Sequence, residues 1–276
     1  MRIKRTGLAL SAGVVAVAVG LVWLTATPTS GQAAKRPYKA ARTADGKPDL
    51  NGIWQALTSA NWNLQDHAAS MGPVVAMGAL GAIPAGLGVV EGGAIPYQPW
   101  AAAKQKENAA QWLTQDPVVK CYLPGVPRAT YLPFPFQIVQ TPDDILIAYA
   151  FAGASRTLYM KRTEDSPGDT WMGWSRGRWD GESLVVQVDS FNDQTWFDSA
   201  GNFHSDALKV EERYTATGPD HLLYEATITD PKVFTRPWKI SLPLYRRIEP
   251  QAQLLEFKCV EFVEELMYGH LKKKTN

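Results

Sequence analysis

A long succession of short strand-like segments, from residue 136 to residue 262, constrains the fold of this chain more than any other feature. Each segment is rich in β-branched and aromatic residues, and breakers such as Asp180-Gly181 and Gly218-Pro219-Asp220 separate neighbouring segments. No helix-length segment interrupts the succession, so the sequence predicts antiparallel connections between consecutive strands. The predicted strands cover residues 136–141, 145–151, 155–161, 170–180, 183–191, 207–215, 221–229, 238–247 and 253–262.

One more strand is predicted earlier in the chain, in the segment DLNGIWQAL at residues 49–57. Together the strands indicate a mainly β fold, in which an antiparallel meander closes into a barrel or forms a strongly bent sheet. Residues 58–135 form a long irregular insertion after the first strand. Within the insertion, Pro99 and many Ala, Lys, Gln and Glu residues favour one helix over 96–116, and the prolines that follow favour an extended segment over 121–136.

The first strand carries a short motif that favours closure of the barrel. Gly52-Ile53-Trp54 resembles the G-x-W that opens lipocalin-type barrels, a group within the calycin-like folds. In those barrels an arginine from a late strand covers the tryptophan, and the resemblance gives this role to Arg246 or Arg247. The long insertion departs from the lipocalin pattern, so the resemblance concerns the architecture alone.

A second resemblance spans most of residues 45–270. It is carried by the stretches DLNGIWQ, CYLPGVPR, PFPFQIVQTP, WMGWSRGRWDGESLVVQVDSFNDQTWFDSAGNFHSDALKVEERY (171–214) and DPKVFTRPW. These stretches resemble an uncharacterised family of exported bacterial proteins. The resemblance implies export and one β-rich domain, predicted at 49–270, and brings no catalytic roles.

The N-terminus has the pattern of an export signal. A start with basic residues precedes an uncharged apolar run at 7–26, and Gly31-Gln32-Ala33 resembles a small-residue cleavage site. Residues 1–34 are therefore predicted to be a cleaved signal peptide or a retained membrane anchor. Both alternatives place the rest of the chain in the periplasm or elsewhere outside the cytoplasm. Residues 35–48 are predicted to be a linker, and 271–276 a basic tail.

The two cysteines, Cys121 and Cys259, fit that location. In an oxidising compartment they are expected to form a disulfide that ties the Pro-rich segment to a late part of the chain. The alternative is two separate buried thiols. Neither cysteine belongs to a CxxC motif, which argues against zinc binding and thiol redox chemistry.

Charge and aromatic content narrow the class of partner. The formal net charge is +1, and no dense basic patch occurs outside the two ends of the chain. A nucleic-acid-binding protein needs clustered Lys and Arg, so this class is excluded. Ten Trp and ten Tyr residues are typical of a β-rich protein with apolar faces for a small hydrophobic ligand.

Residues 71–95 are apolar and uncharged until Glu91, and their glycines disfavour both a stable helix and a strand. Three alternatives fit this composition. The segment is a mobile flap over a hydrophobic opening, a loop that touches a membrane, or an irregular loop packed on the core. Membrane contact is thus expected through 7–26 or through 71–95.

The polar loop FNDQTWFDSAGNFHSDAL, at residues 191–208, is the strongest candidate for chemistry. It lies between two predicted strands and therefore at a rim of the barrel or sheet. His204 with Asp198 or Asp206 is predicted to carry acid–base chemistry, because histidine titrates near neutrality and a carboxylate fixes its tautomer. The alternative is a turn that satisfies its own polar groups, with Gly201 supplying a positive φ.

Ligand-binding candidates come from this loop and from the strands before and after it. Tryptophans offer faces to an apolar or ring-shaped ligand, and inward-facing arginines would bind a carboxylate or enolate oxygen. The alternatives are core packing for the tryptophans and solvent or glutamate partners for the arginines. The predicted ligand-binding residues are Asn192, Asp193, Trp196, Trp171, Trp174, Arg176, Arg178 and Arg213.

No metal or cofactor is predicted. The four histidines match no zinc spacing, and the acidic residues of 191–208 miss the calcium-loop pattern DxDxDG. A haem on one histidine, or a calcium ion on the loop, has no further support.

Three functions therefore remain. The first is an exported β-barrel that binds a small hydrophobic molecule, including an aromatic one. The second is an enzyme on the same frame, a lyase, isomerase or cyclase that uses His204 with Asp198 or Asp206. The third is a structural or interaction protein of the cell envelope. The sequence leaves open whether the chain is catalytic.

Overall fold

Apolar residues that alternate along each strand build a β-barrel in the computed structural model, which describes residues 38–72, 75–261, 267 and 270. Strands β1 to β9 pair in chain order, and β1 pairs with β9 to close the ring. The prediction of a mainly β fold is confirmed, and of its two predicted forms, a barrel and a strongly bent sheet, the structure has the closed barrel. The strands are β1 Gly52–Ala56, β2 Phe136–Gln140, β3 Asp144–Tyr149, β4 Ser155–Tyr159, β5 Trp174–Asp180, β6 Ser183–Asp189, β7 Lys209–Gly218, β8 His221–Thr229 and β9 Trp238–Arg246.

Every neighbouring pair of strands is antiparallel except β4–β5, which is parallel. A ring with an odd number of strands cannot alternate direction all the way round, so one pair must run the same way. Residues 160–173 carry the chain back along the barrel between these two strands. The prediction of purely antiparallel connections is wrong at this pair, because it took no account of the parity that closure requires.

The barrel interior follows the period-2 pattern of the strands. In β7, the side chains of Val210, Glu212, Tyr214 and Ala216 are buried, and the residues between them are half-exposed. The alternation continues in β8 and β9, so one face of every strand contributes to a shared core.

Trp54 and Arg246 close the end of the barrel at which β1 begins. The Trp54 side chain is fully buried, and its indole N–H donates to the carbonyl of Leu50 at 2.9 Å. The Arg246 guanidinium lies 4.2 Å above the Trp54 ring and donates to the carbonyl of Asn51. Arg246 thus covers the tryptophan as the lipocalin resemblance implied, whereas Arg247 pairs with Glu249 at the surface.

The insertion contains the predicted helix, with a break. Helix α1 covers Pro99–Ala110 and α2 covers Trp112–Gln115, and Gln111 between them leaves the helical conformation. The Pro-rich segment is not extended throughout, since it contains a one-turn helix, α3, at Arg128–Tyr131. Residues Val75–Gly81 form 3₁₀ turns that are interrupted at Gly78.

The strand predicted at 253–262 is absent from the described residues 253–261. Only Phe257 makes a bridge there, to Phe151, and its ring lies 4.2 Å from that of Phe134. Leu255 and Val260 are exposed. The segment is strand-like in sequence, but β1 and β9 already pair with each other, so the barrel has no free edge for a further strand.

The predicted disulfide is present and joins Cys121 to Cys259 with an S–S distance of 2.00 Å. It attaches the C-terminal segment to the turn that follows α2. The predicted signal or anchor at 1–34 and the basic tail at 271–276 lie outside the described residues. Among the described residues, no helix is long and apolar enough to cross a membrane.

Candidate functional site

Three long connections leave the barrel at the same end, which we term the capped end. Strands β1, β6 and β8 finish where β2, β7 and β9 start, so their connections meet there. These connections are residues 57–135, 190–208 and 230–237. The polar loop that sequence analysis selected, 191–208, is therefore placed against the insertion.

Asp198 fastens the polar loop to the insertion. Its side chain is fully buried and accepts hydrogen bonds from the backbone N–H of Leu64 at 2.8 Å and of Asn202 at 3.2 Å. Burial raises the pKa of Asp198 to about 6, although these donors and the cation of Arg128 act in the opposite direction. Asp198 is a structural anchor with a titration near neutral pH.

His204 is buried beside the same loop with both ring nitrogens engaged. Nε2 lies 2.6 Å from the Thr195 hydroxyl oxygen, and Nδ1 lies 2.8 Å from the carbonyl oxygen of Ser205. The carbonyl can only accept, so we assign the proton to Nδ1, and Nε2 then accepts from Thr195. Burial lowers the pKa of His204, which keeps the imidazole neutral. Neither nitrogen is free to take a proton from a substrate.

The acid–base pairs predicted for His204 are not assembled in the described structure. Asp198 contacts Leu64 and Asn202, and Asp206 is exposed and pairs with Lys232 at 2.6 Å. The carboxylate next to the histidine turn is instead Asp230, which accepts from the Ser205 backbone N–H at 2.6 Å. Sequence analysis did not select Asp230, because Asp230-Pro231 has the composition of a turn that separates two strands.

The capped end carries a surface groove of about 490 Å³. One wall is formed by α1, α2 and the turn after α2, and the other by the polar loop and the residues just before β5. The lining residues are Lys104, Glu107, Asn108, Gln111, Gln115, Pro117, Lys120, Tyr122, Trp171, Asp193, Gln194, Trp196 and Phe203.

Aromatic side chains give the groove its shape. The rings of Tyr122 and Trp171 lie 5.1 Å apart at an angle of 42°, and Phe203 packs edge-on against Trp100 at 6.0 Å. Trp196 is half-buried and forms a bridge to Phe203 across the polar loop. These rings present apolar faces beside amide and charged groups, which suits a ring-bearing ligand with polar substituents.

The groove collects three of the predicted ligand-binding residues, Asp193, Trp196 and Trp171. Asn192 is near but does not line the groove, and its side chain accepts from the backbone of Gln194 at 3.3 Å. The other four lie on the outer face of the barrel. There, Trp174 packs on Tyr159, Arg176 pairs with Asp189, Arg178 lies 3.8 Å from Glu211, and Arg213 pairs with Asp180.

A buried ion pair includes Asp116, whose two neighbours in sequence line the groove. Arg128 of α3 donates to both carboxylate oxygens of Asp116, at 2.7 and 2.8 Å, and to Asn61 at 3.1 Å. Ser199 of the polar loop donates to the same carboxylate at 3.0 Å. Burial alone lowers the pKa of Arg128, but Asp116 reverses the effect, so the guanidinium stays charged. The cluster therefore joins the insertion and the polar loop.

A second buried ion pair lies inside the barrel, between Arg156 of β4 and Glu212 of β7. Arg156 donates to Glu212 at 2.6 and 2.9 Å, and the hydroxyls of Tyr214 and Tyr224 donate to Glu212 at 3.0 and 2.7 Å. Arg156 also donates to the Tyr149 hydroxyl oxygen at 3.1 Å. Burial raises the pKa of all three tyrosines, so their hydroxyls remain protonated and neutral.

The signal for this interior pair was present in the strand alternation. Arg156 precedes the buried Leu158 by two residues, and Glu212 lies between the buried Val210 and Tyr214, so both occupy inward positions. A charged residue at an inward position of a barrel strand needs a partner of opposite charge, and each supplies the other.

Comparison with known proteins adds little to this description. No family model and no curated protein matches the chain. Among solved structures it is similar to the crystal structure of a point mutant of the fluorescent protein UnaG, with 13% identity and a TM-score of 0.28. That likeness covers 51% of this chain and 89% of the other. The assignment of the fold depends on the strand pairing described above.

Proposed function

We propose that this protein is an exported barrel that binds a small, largely apolar ring-bearing molecule in the groove at the capped end. The observation that carries the proposal is the groove itself, because its volume of about 490 Å³ falls in the range of about 300–1,000 Å³ usual for small-molecule sites. The closed barrel acts as a rigid support, and the site lies on the connections that cap it.

The lining of the groove favours a ligand without net charge. Lys104 and Lys120 are balanced by Glu107 and Asp193, so the walls carry no formal excess of either sign. The side-chain amides offer both donors and acceptors, and the aromatic rings offer apolar faces. A neutral ring with a few hydroxyl, carbonyl or amide groups fits this combination.

The walls of the groove are held in place before any ligand arrives. The Arg128–Asp116 pair fixes the residues before Pro117, and the disulfide at Cys121 fixes the turn that carries Tyr122. A site whose walls are already ordered loses less conformational entropy on binding, which favours recognition over a purely structural role.

Export is part of the proposal and has two supports. The first is the basic and apolar N-terminal sequence, and the second is the disulfide, a bond that persists in oxidising compartments. Fractionation of cells that express the full chain tests this part. The expected result is recovery with envelope or secreted proteins, and recovery with cytosolic proteins would refute it.

Tryptophan variants test the groove. N-phenylnaphthylamine, an uncharged aromatic probe that fluoresces in apolar surroundings, is titrated into the wild type and into Trp171→Ala, Trp196→Ala and Trp174→Ala. The first two remove walls of the groove and are expected to weaken binding about tenfold, which corresponds to about 1.4 kcal/mol. The third removes a ring on the outer face and is the matched control. Equal affinity in all four proteins would refute the groove as the site.

Native mass spectrometry of protein purified from the envelope identifies the natural ligand. A neutral mass that is retained by the wild type and by Trp174→Ala, but lost from Trp171→Ala, is the result expected. A retained mass that survives the loss of both groove tryptophans would place the ligand elsewhere.

A further inference from the structure

Residues 67–72 and 75–86 form a finger whose two arms are joined by backbone hydrogen bonds. His67 and Gly86 exchange N–H···O bonds of 3.0 Å in both directions, and Ser70 and Ile83 exchange bonds of 3.1 and 3.0 Å. The arms are therefore antiparallel, and the described residues between them, 71–72 and 75–82, form the tip of the finger. The function proposed above makes no use of this segment.

The tip exposes large apolar side chains to solvent. Leu80 is 91% exposed, Met71 77% and Val75 67%, and none of the described residues of Val75–Gly81 is buried. Just beyond the arms, Leu87 is 87% exposed. A tip that folded only to cover the core would bury such side chains. Their exposure therefore indicates a surface that binds a membrane or another molecule.

The composition of the finger favours lipid over protein as that partner. Between His67 and Glu91 the sequence has no charged residue, and Ser70 is the one residue with a polar side chain. A protein interface carries about one hydrogen bond per 100–200 Å², which the tip has too few polar groups to make. A lipid surface needs no such complement, because it accepts apolar side chains without directional bonds.

The charged residues next to the finger limit how far it can enter a lipid bilayer. Asp66 and Glu91 flank the apolar segment and favour water, so the base of the finger stays outside the hydrocarbon. We propose that the tip inserts into the interfacial layer of a lipid bilayer, to the depth of about 5–10 Å that is usual for interfacial elements.

The N-terminal sequence brings this surface to a bilayer. Arg2, Lys4 and Arg5 followed by the apolar run 7–26 direct the chain to a membrane, whether the run is later cleaved or retained.

Site-specific fluorescence in the full chain tests the proposal without interference from the N-terminal run. Because Cys121 and Cys259 are joined, an introduced cysteine is the one thiol available for labelling among the described residues. Leu80→Cys carries an environment-sensitive nitrobenzoxadiazole dye at the tip. Ile248→Cys, at a position that is 71% exposed outside the finger, is the matched control. Both proteins are reconstituted into vesicles of phosphatidylethanolamine and phosphatidylglycerol, with and without spin-labelled lipid.

The expected result is a blue-shifted dye at position 80 that loses more than about half of its emission to spin-labelled lipid, and a dye at 248 that loses less than about a tenth. Water-like emission at both positions would overturn the proposal. A blue shift at position 80 without quenching by lipid, together with thiol cross-links between copies of the unlabelled Leu80→Cys protein, would also overturn it, since the tip would then meet a second copy of the chain.

Discussion

Removing the Arg156 cation should destabilise the barrel strongly, because it leaves the Glu212 carboxylate charged and buried. The pair has two hydrogen bonds of 2.6 and 2.9 Å, and both side chains are almost completely buried, at 3% and 0% exposure. In Arg156→Met the tyrosine hydroxyls at 3.0 and 2.7 Å remain as donors, but no positive charge faces the carboxylate. Breaking a buried pair from one side costs about 3–5 kcal/mol.

The double variant Arg156→Met/Glu212→Leu separates the charge effect from simple loss of packing. Replacing both partners by apolar side chains removes the unpaired charge, so most of the lost free energy of unfolding should return. Arg213→Met is the surface control, because its partner Asp180 is exposed to solvent and the pair is screened. It should leave the unfolding midpoint almost unchanged.

Urea unfolding followed by tryptophan fluorescence measures these effects. With an m-value of about 2–3 kcal/mol/M, Arg156→Met should lower the midpoint by about 1–2 M relative to the wild type. The reasoning is refuted if the single variant loses less than about 1 kcal/mol, or if the double variant is no more stable than the single one.

Two further variants probe the capped end. Burial raises the pKa of Asp198 from 3.8 to about 6, so the folded state binds this proton more tightly than the unfolded state does. The protonated carboxyl therefore adds to the free energy of unfolding below about pH 4, and this contribution is lost as the pH rises through about 6. The loss amounts to about 3 kcal/mol. Urea titrations at several pH values measure the free energy of unfolding of the wild type and of Asp198→Asn. The difference between the two proteins should decrease between about pH 4 and pH 6, and a difference that stays constant would contradict the pKa shift. The double variant Cys121→Ser/Cys259→Ser opens a loop with a sequence separation of 138 and should lose about 5 kcal/mol in the chain-entropy description. Urea unfolding of this variant measures the loss, and a value below about 1 kcal/mol would show that the bond constrains the unfolded chain little.

Strand existence was predictable because local sequence determines it here. The β8 prediction matches the observed His221–Thr229, and most other strands agree within a few residues, since alternation and turn signals are both strong. The failures at 253–262 and at the β4–β5 pair have a common origin. Both depend on the closure of the ring, a global property that no single segment encodes.

The sequence predicted where the candidate site lies better than it predicted which residues pair with one another there. The polar loop 191–208 does lie at the capped end, and it contributes Asp193 and Trp196 to the groove. The partners of His204 could not be read from spacing, because Thr195 competes with the carboxylates for the imidazole and Asp230 comes from another connection. Sequence proximity of His and Asp therefore identified a turn rather than an acid–base pair.

The parallel contact between β4 and β5 is a seam in the barrel wall. Only Leu158 with Ser175 and Tyr159 with Arg176 are in register there, whereas β7 and β8 match along almost their whole length. The barrel wall should therefore open locally at this seam more readily than elsewhere. Amide hydrogen exchange should then be faster along β4 and at the start of β5 than in the other strands. Residues 160–173 are consequently the preferred position for the new termini of a circular permutant, because a break there leaves every antiparallel hairpin of the barrel intact.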